Sequence, residues 1–223
     1  MQNTVIKLIV TDFDGVILDS EQSKLKAYRD CFAYFPDHVD EFMEYHLSNP
    51  YIGRYEKFEY FYRNILKQEY FEKEKKWIAD RFNGMVFKLV SASPVIPGAI
   101  DFLKTYSKVV PIWVVTGTPV KELSKVLTAV NIDGYFEKLY STPPHKTVIL
   151  SAILNETKFS PNETVFIGDT NNDQKAAEEN KIPFIGIYSQ EGFENSPLYI
   201  MKDFLDIHNI LGITGQNQIE LRI

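Results

Sequence analysis

Two aspartates and a glycine stand directly behind the first apolar run of the chain. Residues 5–10 read VIKLIV and have the β-branched content of a buried strand. Asp12, Asp14 and Gly15 follow them. An unpaired buried carboxylate is costly, so carboxylates at this point indicate either a solvent-exposed turn or a metal and catalytic site. These residues alone do not decide between the two.

Polar residues also follow two later predicted strands. The apolar run 109–115 is followed by Thr-Gly-Thr, and the run 164–167 is followed by Gly-Asp-Thr-Asn-Asn-Asp. Because the carboxyl ends of parallel strands share one edge of a sheet, we expect these groups to converge with the two aspartates. Lys146, which begins a predicted helix, is expected to join them. The predicted site is made of Asp12, Asp14, Asp169, Asp173, Thr116 and Lys146.

This set of side chains predicts phosphoryl transfer. Clustered carboxylates repel one another unless a cation is present, and oxygen ligands suit Mg²⁺. Thr116, the neighbouring backbone amides and Lys146 supply donors for an anion, as the transition state of phosphoryl transfer requires. Asp12 is then expected to attack phosphorus as a nucleophile. Asp14 is expected to protonate the leaving oxygen and later to activate water.

The order of predicted elements indicates an α/β fold. From about residue 93 onward, strands alternate with helices, which is typical of a parallel sheet with crossover helices. Residues 19–92 are helical and rich in aromatic residues, without a convincing strand. We therefore predict a core domain from 1–18 and 93–223 and a helical domain from 19–92, placed over the carboxyl end of the first strand. Near the end of the chain, a strand is predicted for 198–201 and a helix for 204–211.

Charge and composition exclude several classes of function. Lys and Arg number 24, Asp and Glu number 30, and the net charge is −6. This balance argues against nucleic-acid binding, which needs a basic face. The first apolar run is too short for a signal peptide, no stretch is long enough to cross a bilayer, and the single cysteine, Cys31, excludes an internal disulfide. We expect a soluble, cytoplasmic protein without nucleic-acid or membrane partners.

The motifs together resemble the haloacid dehalogenase superfamily, in its branch with a helical cap inserted after the first motif. The phosphoglycolate phosphatase-like and β-phosphoglucomutase-like proteins belong to this branch. The matching segments occur in the family's order and cover most of the chain; they are DFDGV at 12–16, DS at 19–20, VVTG at 114–117, Lys146 and GDTNND at 168–173. The resemblance implies a Rossmann-like parallel sheet core with an inserted α-helical cap domain.

The resemblance also implies a role for each motif residue. Asp12 would be the phosphoaspartyl nucleophile and a Mg²⁺ ligand, and Asp14 the general acid and base, with its backbone carbonyl on the metal. Thr116 and the Gly117 amide would hold phosphate, and Lys146 would neutralise the nucleophile and the phosphate. Asp169 would bind Mg²⁺, and Asp173 would support the metal site or orient Lys146. An aspartate at position 14 marks the phosphatases and phosphomutases of the superfamily, because their alkoxide leaving groups need an acid.

Other residues near the motifs have weaker assignments. Arg54 and Lys57 in the helical domain are candidates for holding a second polar group of the substrate, or form a solvated basic helix face. Thr118 and Asn172 are interpreted as turn residues and His145 as a loop residue.

The sequence favours a Mg²⁺-dependent phosphatase acting on a small phosphomonoester, as a monomer or homodimer. A β-phosphoglucomutase-like phosphosugar mutase is the alternative. A receiver-type phospho-acceptor does not fit, because its aspartate follows a later strand and it lacks a helical insertion. A phosphosugar-binding regulator that has lost turnover is disfavoured by the complete set of catalytic residue types.

Overall fold

The chain folds into two compact units, each of which makes most of its contacts within itself. The computed structural model describes residues 5–49, 52–188, 192–197 and 199–222. One unit comprises Met1–Asp19 and Pro94–Ile223, and is called the core unit here. The other comprises Ser20–Ser93 and is called the helical unit. We keep the sequence-based domain limits, 1–18 with 93–223 and 19–92, as a prediction.

A six-stranded sheet forms the centre of the core unit, and all its strand pairs are parallel. Its strands are Leu8–Thr11 (β2), Ile112–Thr116 (β3), Lys138–Ser141 (β4), Thr164–Gly168 (β5), Phe184–Ile187 (β6) and Tyr199–Met201 (β7). In the sheet they lie in the order β4-β3-β2-β5-β6-β7. β2, β3, β5 and β6 are buried throughout, as the uninterrupted apolar sequences of strands covered on both faces predict.

Four α-helices of the core unit complete the crossovers between these strands. They are Ala99–Tyr106 (α5), Val120–Ala129 (α6), Lys146–Thr157 (α7) and Asn171–Glu179 (α8). α7 and α8 pack on one part of the sheet, where Ile149, Ile153 and Ala177 join Val115 and Phe166 in a buried apolar cluster. The same two helices begin at Lys146 and Asn171, so this packing fixes the start of each helix relative to the sheet.

The first predicted strand is divided between two sheets. Val5–Ile6 (β1) pairs antiparallel with Ile219–Leu221 (β9), which also pairs with Leu211–Ile213 (β8). Between β1 and β2, the backbone amide of the exposed Lys7 donates to the carbonyl of Glu163 at 2.7 Å. The pairing with β9 ends at Ile6, and the pairing with β5 begins at Leu8. The small antiparallel sheet β1-β9-β8 therefore joins the start of the core unit to its C-terminal segment.

The helix predicted for residues 204–211 is wrong. The segment forms a single 3₁₀ turn, Ile207–Asn209, and then enters β8. Phe204, Ile207 and Leu211 are buried at a spacing that imitates one face of a helix. Pairing of β8 with β9 in a hairpin overrides this local pattern, because the ladder satisfies the backbone amides and carbonyls that a helix would otherwise satisfy. β9 in turn pairs with the distant β1.

The helical unit contains four α-helices and no strand among its described residues. They are Glu21–Phe32 (α1), Val39–Ser48 (α2), Arg54–Tyr60 (α3) and Glu72–Val90 (α4), and α3 continues as a π-helical turn, Phe61–Ile65. Its core is a cluster of aromatic rings: Phe32 stacks on Phe42 at 3.6 Å between centroids and meets Phe61 edge-on at 4.5 Å. Aromatic pairs of this kind contribute beyond their buried area.

The helical unit is inserted between Asp19 and Pro94, at a two-stranded stem that belongs to the core unit. The amide of Asp19 donates to the carbonyl of Pro94 at 2.9 Å, and the amide of Ile96 donates to the carbonyl of Ile17 at 3.0 Å. The predicted fold class, an α/β parallel sheet core with an inserted helical domain, is confirmed. Within the described residues, no helix is both long enough and apolar enough to cross a membrane.

Candidate active site

Three strand ends place the predicted catalytic residues at one edge of the sheet. Asp12 follows β2 directly, Thr116 ends β3, and Asp169 follows the last residue of β5. β2 lies between β3 and β5, and the chain crosses from one side of β2 to the other after β4. This is the topological switch point, where parallel α/β sheets bind ligands outside the carboxyl ends of their strands. The amide of Asp12 donates to the carbonyl of Ile167 at 2.8 Å, so the ladder fixes its backbone beside β5.

Lys146 connects two carboxylates inside the core unit. Its ammonium nitrogen Nζ lies 2.6 Å from Oδ2 of Asp12 and 2.5 Å from Oδ1 of Asp173. All three side chains are almost fully buried. Buried charges persist only when they are paired and hydrogen-bonded, and the lysine meets that condition from the first turn of α7.

Asp173 is fixed by the first turn of α8 as well as by Lys146. Its second oxygen, Oδ2, accepts from the hydroxyl of Thr170 at 2.5 Å and from the amide of Thr170 at 3.2 Å. The hydroxyl of Thr170 in turn accepts from the amide of Asp173, which completes a capping box. Both oxygens of Asp173 thus have partners that hold its side chain in one orientation.

Three carboxylates approach closely enough to share a cation. Asp12, Asp169 and Asp173 each offer an oxygen, and these oxygens lie within 4.8 Å of one another. Two glycines permit this approach. A Cβ on Gly15, whose φ is +78°, would come within 2.7 Å of Cγ of Asp169, and a Cβ on Gly168 would lie 2.5 Å from Cβ of Asp173. The donor set of carboxylate oxygens in a buried cradle fits Mg²⁺, which prefers hard oxygen ligands.

Burial raises the pKa of Asp12 to about 6. The positive charge of Lys146 opposes this rise, and the negative charges of Asp173 and Asp14 add to it. Burial alone would lower the pKa of Lys146, but attraction by Asp12 and Asp173 together raises it above its ordinary value. Lys146 therefore stays a cation at neutral pH. A divalent ion among the carboxylates would act against the effect of burial and lower the pKa of Asp12.

Asp14 faces two hydroxyl groups of the loop after β3. Its oxygen Oδ2 lies 2.8 Å from the hydroxyl of Thr118 and 3.5 Å from the hydroxyl of Thr116. The amide of Thr118 donates to the hydroxyl of Thr116 at 3.2 Å, so the loop folds back on itself around Gly117. The turn role predicted for Thr118 therefore omits its bond to Asp14. No motif in the sequence indicated it, because the bond joins loops 104 residues apart.

His145 and Asn172 form a second connection between the starts of α7 and α8. The nitrogen Nδ1 of His145 accepts from the amide of Thr147, which caps α7, and Nε2 lies 2.9 Å from Oδ1 of Asn172. These two residues directly precede Lys146 and Asp173. The loop and turn roles predicted for His145 and Asn172 therefore omitted a contact between them.

Arg54 and Lys57 belong to the helical unit. Nη1 of Arg54 lies 3.3 Å from Oδ1 of Asn83, and its guanidinium lies over the ring of Phe82 at 5.1 Å. Lys57 is only 2% exposed, and its Nζ lies 3.0 Å from Nδ1 of His46. Lys57 is therefore not part of a solvated helix face. A role of Arg54 in binding phosphate stays a prediction.

Comparison with known proteins agrees with the motifs. A family model for haloacid dehalogenase-like hydrolases matches residues 6–180. The phosphoglycolate phosphatase of Haemophilus influenzae (strain 86-028NP) is 28% identical over 153 residues, which are 63% of this chain and 68% of that protein.

Solved structures of other proteins share the fold. The crystal structure of a protein from Haemophilus somnus 129pt, described as a predicted phosphoglycolate phosphatase, has a TM-score of 0.67 at 23% identity and covers 92% of this chain and 97% of its own. The magnesium-bound HAD-hydrolase YfnB from Bacillus subtilis has a TM-score of 0.71 at 15% identity, covering 92% and 98%.

The family match extends over the three strand ends and Lys146, which are the segments that form the site. The resemblance inferred from the motifs is thereby confirmed. The chain belongs to the haloacid dehalogenase-like hydrolase family and is an enzyme of the hydrolase class.

Proposed function

We propose that the chain is a Mg²⁺-dependent phosphatase that hydrolyses a small phosphomonoester through an aspartyl-phosphate on Asp12. The observation that carries this proposal is the bridge from Lys146 to Asp12 and Asp173 at the switch point of the sheet. A buried ammonium group beside a carboxylate nucleophile and a hydroxyl-bearing loop suits a reaction in which negative charge develops on phosphoryl oxygens.

The residues of the cluster fit a bound Mg²⁺. We assign the carboxylates of Asp12 and Asp169, with the backbone carbonyl of Asp14, as its protein ligands. Asp173 could also reach the ion, but its two oxygens already bind Lys146 and Thr170, so we assign it to positioning Lys146. When bound, Mg²⁺ supplies positive charge that neutralises the carboxylates and the phosphate oxygens.

Asp12 and Asp14 carry out both chemical steps of the proposed reaction. A carboxylate oxygen of Asp12 attacks phosphorus and the bond from phosphorus to the ester oxygen breaks, while Asp14 gives that oxygen its proton. Asp14 then takes a proton from water, whose oxygen attacks phosphorus and releases phosphate from Asp12. Thr116, the Gly117 amide and Lys146 donate to the phosphoryl oxygens in both steps.

The substrate is proposed to be a small phosphorylated acid or sugar in the cytoplasm. The activity named for the Haemophilus influenzae relative makes 2-phosphoglycolate the first compound to test. Arg54 is our candidate for a contact from the helical unit to the substrate. The enzyme is proposed to work as a monomer or homodimer.

Release of inorganic phosphate from a panel of phosphate esters, with and without Mg²⁺, tests the proposal. We expect turnover that EDTA removes and that Asp12→Asn lowers by at least about a thousandfold. The exposed Asp133 supplies the matched control, because Asp133→Asn makes the same chemical change on the surface of the core unit. Near wild-type turnover by Asp12→Asn, or full activity in metal-free buffer, contradicts the proposal. Conversion of glucose 1-phosphate to glucose 6-phosphate without free phosphate would instead identify a mutase.

A further inference from the structure

Thr118 and Thr116 share one oxygen of the proposed acid and base. The hydroxyl of Thr118 reaches Oδ2 of Asp14 at 2.8 Å, an ordinary hydrogen-bond distance, whereas Thr116 reaches the same atom only at 3.5 Å. Both threonines are buried, and Thr118 is 8% exposed. The stronger bond to Asp14 therefore comes from the residue to which the motifs assign no role.

The loop geometry separates the tasks of the two hydroxyls. The amide of Thr118 donates to the oxygen of Thr116, which leaves the proton of the Thr116 hydroxyl available for another acceptor. In the proposed reaction that acceptor is a phosphate oxygen. When Thr116 turns to phosphate, the bond from Thr118 still holds Asp14.

We propose that Thr118 is a positioning residue for the proton transfer carried out by Asp14. This inference rests on the proposed phosphatase function. Because the hydroxyl of Thr118 donates to Oδ2 of Asp14, the carboxyl proton of Asp14 is favoured on the other oxygen, Oδ1. The same bond fixes the direction in which Asp14 donates that proton to the leaving oxygen. A general acid must lie within hydrogen-bond reach of the leaving oxygen, and small displacements of a catalytic group have large effects on rate.

The leaving group of the ester reports this role directly. An alkoxide leaves phosphorus only if it receives a proton, so hydrolysis of 2-phosphoglycolate needs a correctly placed acid. p-Nitrophenolate leaves without a proton, so formation of the phosphoenzyme from p-nitrophenyl phosphate does not need the acid. The value of kcat/KM reports this first step for both compounds. A threonine that only stabilises the loop would affect both compounds equally.

The experiment compares kcat/KM of the wild type, Thr118→Val and Thr118→Ser with the two compounds in the presence of Mg²⁺. We expect Thr118→Val to lower kcat/KM for 2-phosphoglycolate by about tenfold or more, and that for p-nitrophenyl phosphate by less than about twofold. Thr118→Ser keeps the hydroxyl and should restore both values to near wild type. Ser124→Ala, which removes an exposed hydroxyl from α6, is the matched control and should change neither.

If Thr118→Val lowers kcat/KM equally for both compounds, or does not lower it for 2-phosphoglycolate, the inference is overturned. The phosphatase proposal is unaffected by either result. If the wild type does not hydrolyse 2-phosphoglycolate, the best alkyl phosphate of the ester panel takes its place. If the wild type releases phosphate from no ester of the panel, the proposed function fails and the inference falls with it. Thermal unfolding of each variant shows whether it is folded. If Thr118→Val does not fold, Thr118→Ala replaces it, and its kcat/KM values for the two compounds are compared with wild type in the same way.

Discussion

The ammonium group of Lys146 lies 2.6 Å from Oδ2 of Asp12, and the two side chains are only 6% and 9% exposed. This buried pair joins residues that are 134 positions apart in the sequence. It connects the start of α7 to the end of the central strand β2, so the same contact contributes to the stability of the core and to the site.

Lys146→Met should destabilise the protein as well as remove activity. The change leaves Asp12 and Asp173 buried together without a cation, and breaking a buried pair in this way typically costs about 3–5 kcal/mol. Uptake of a proton by Asp12 would reduce that cost, so we expect about 3 kcal/mol, measured by urea unfolding at pH 7. Lys26→Met removes an exposed pair with Asp30 and should cost less than about 1 kcal/mol. Equal losses of unfolding free energy in the two variants would contradict the importance assigned to the buried pair.

Magnesium should stabilise the folded enzyme independently of turnover. A ligand that binds only the native state raises its stability in proportion to the logarithm of ligand concentration over the dissociation constant. We therefore expect MgCl₂ to raise the melting temperature of the wild type and of Asp133→Asn, but to have little effect on Asp169→Asn. Differential scanning fluorimetry over a range of MgCl₂ concentrations measures this. An unchanged magnesium response in Asp169→Asn would remove that residue from the metal site.

Two glycine substitutions should have opposite effects on stability. Gly15→Ala places a Cβ against the carboxylate of Asp169 at a φ of +78°, so we expect a loss of at least about 1 kcal/mol and a weaker magnesium response. Gly84 lies within α4 with no atom within 4 Å of an added Cβ, and Gly84→Ala should stabilise by about 0.5–1 kcal/mol. Urea unfolding measures both changes. A stabilised Gly15→Ala variant would show that the close approach of this loop to Asp169 is not needed.

Acid should weaken the folded state through His46 in the helical unit. Burial is the main cause that lowers the pKa of His46 to about 4, and the charge of Lys57 adds to it. The ring of Tyr28 contributes to this burial, with its centroid 4.0 Å from that of the imidazole and its plane tilted by 38°. The unfolded chain therefore binds a proton at this residue below about pH 6.5 that the folded chain does not bind until about pH 4. This contribution to stability is complete above pH 6.5 and is lost as the pH falls through that window.

The variant His46→Gln tests the pH dependence. It lacks the titrating ring, so its stability relative to wild type should be better at pH 5 than at pH 7. The difference in urea midpoint between variant and wild type, measured at both pH values, gives the result. An identical difference at the two pH values would contradict the assignment to His46.

The sequence predicted the central sheet well because its four inner strands are buried throughout. Continuous apolar runs followed by polar residues mark β2, β3 and β5 and also mark their carboxyl ends. The convergence of Asp12, Thr116 and Asp169 then follows from the parallel arrangement of the strands. Pro111 was included in the predicted strand at 109–115, and the structure begins β3 after it.

The parts that were missed depend on contacts between distant segments. Neither β8 nor β9 has a clear strand pattern, and β9 becomes the middle strand of its sheet only by pairing with Val5–Ile6. The bond from Thr118 to Asp14 has the same origin, since it forms only after two loops meet at the end of the sheet. The burial of Lys57 was equally hidden, because Arg54, Glu56 and Glu59 lie close to it in the sequence and resemble an exposed helix face.

The stem between Asp19 and Pro94 has a consequence for how such proteins diversify. Because the backbone enters and leaves the helical unit through directly hydrogen-bonded positions, the ends of any segment grafted there need only meet side by side. Recombination can then exchange the whole insertion without breaking any strand pairing of the six-stranded sheet. Asp12, Thr116 and Asp169 at the three strand ends belong to the core unit and lie outside the exchanged segment.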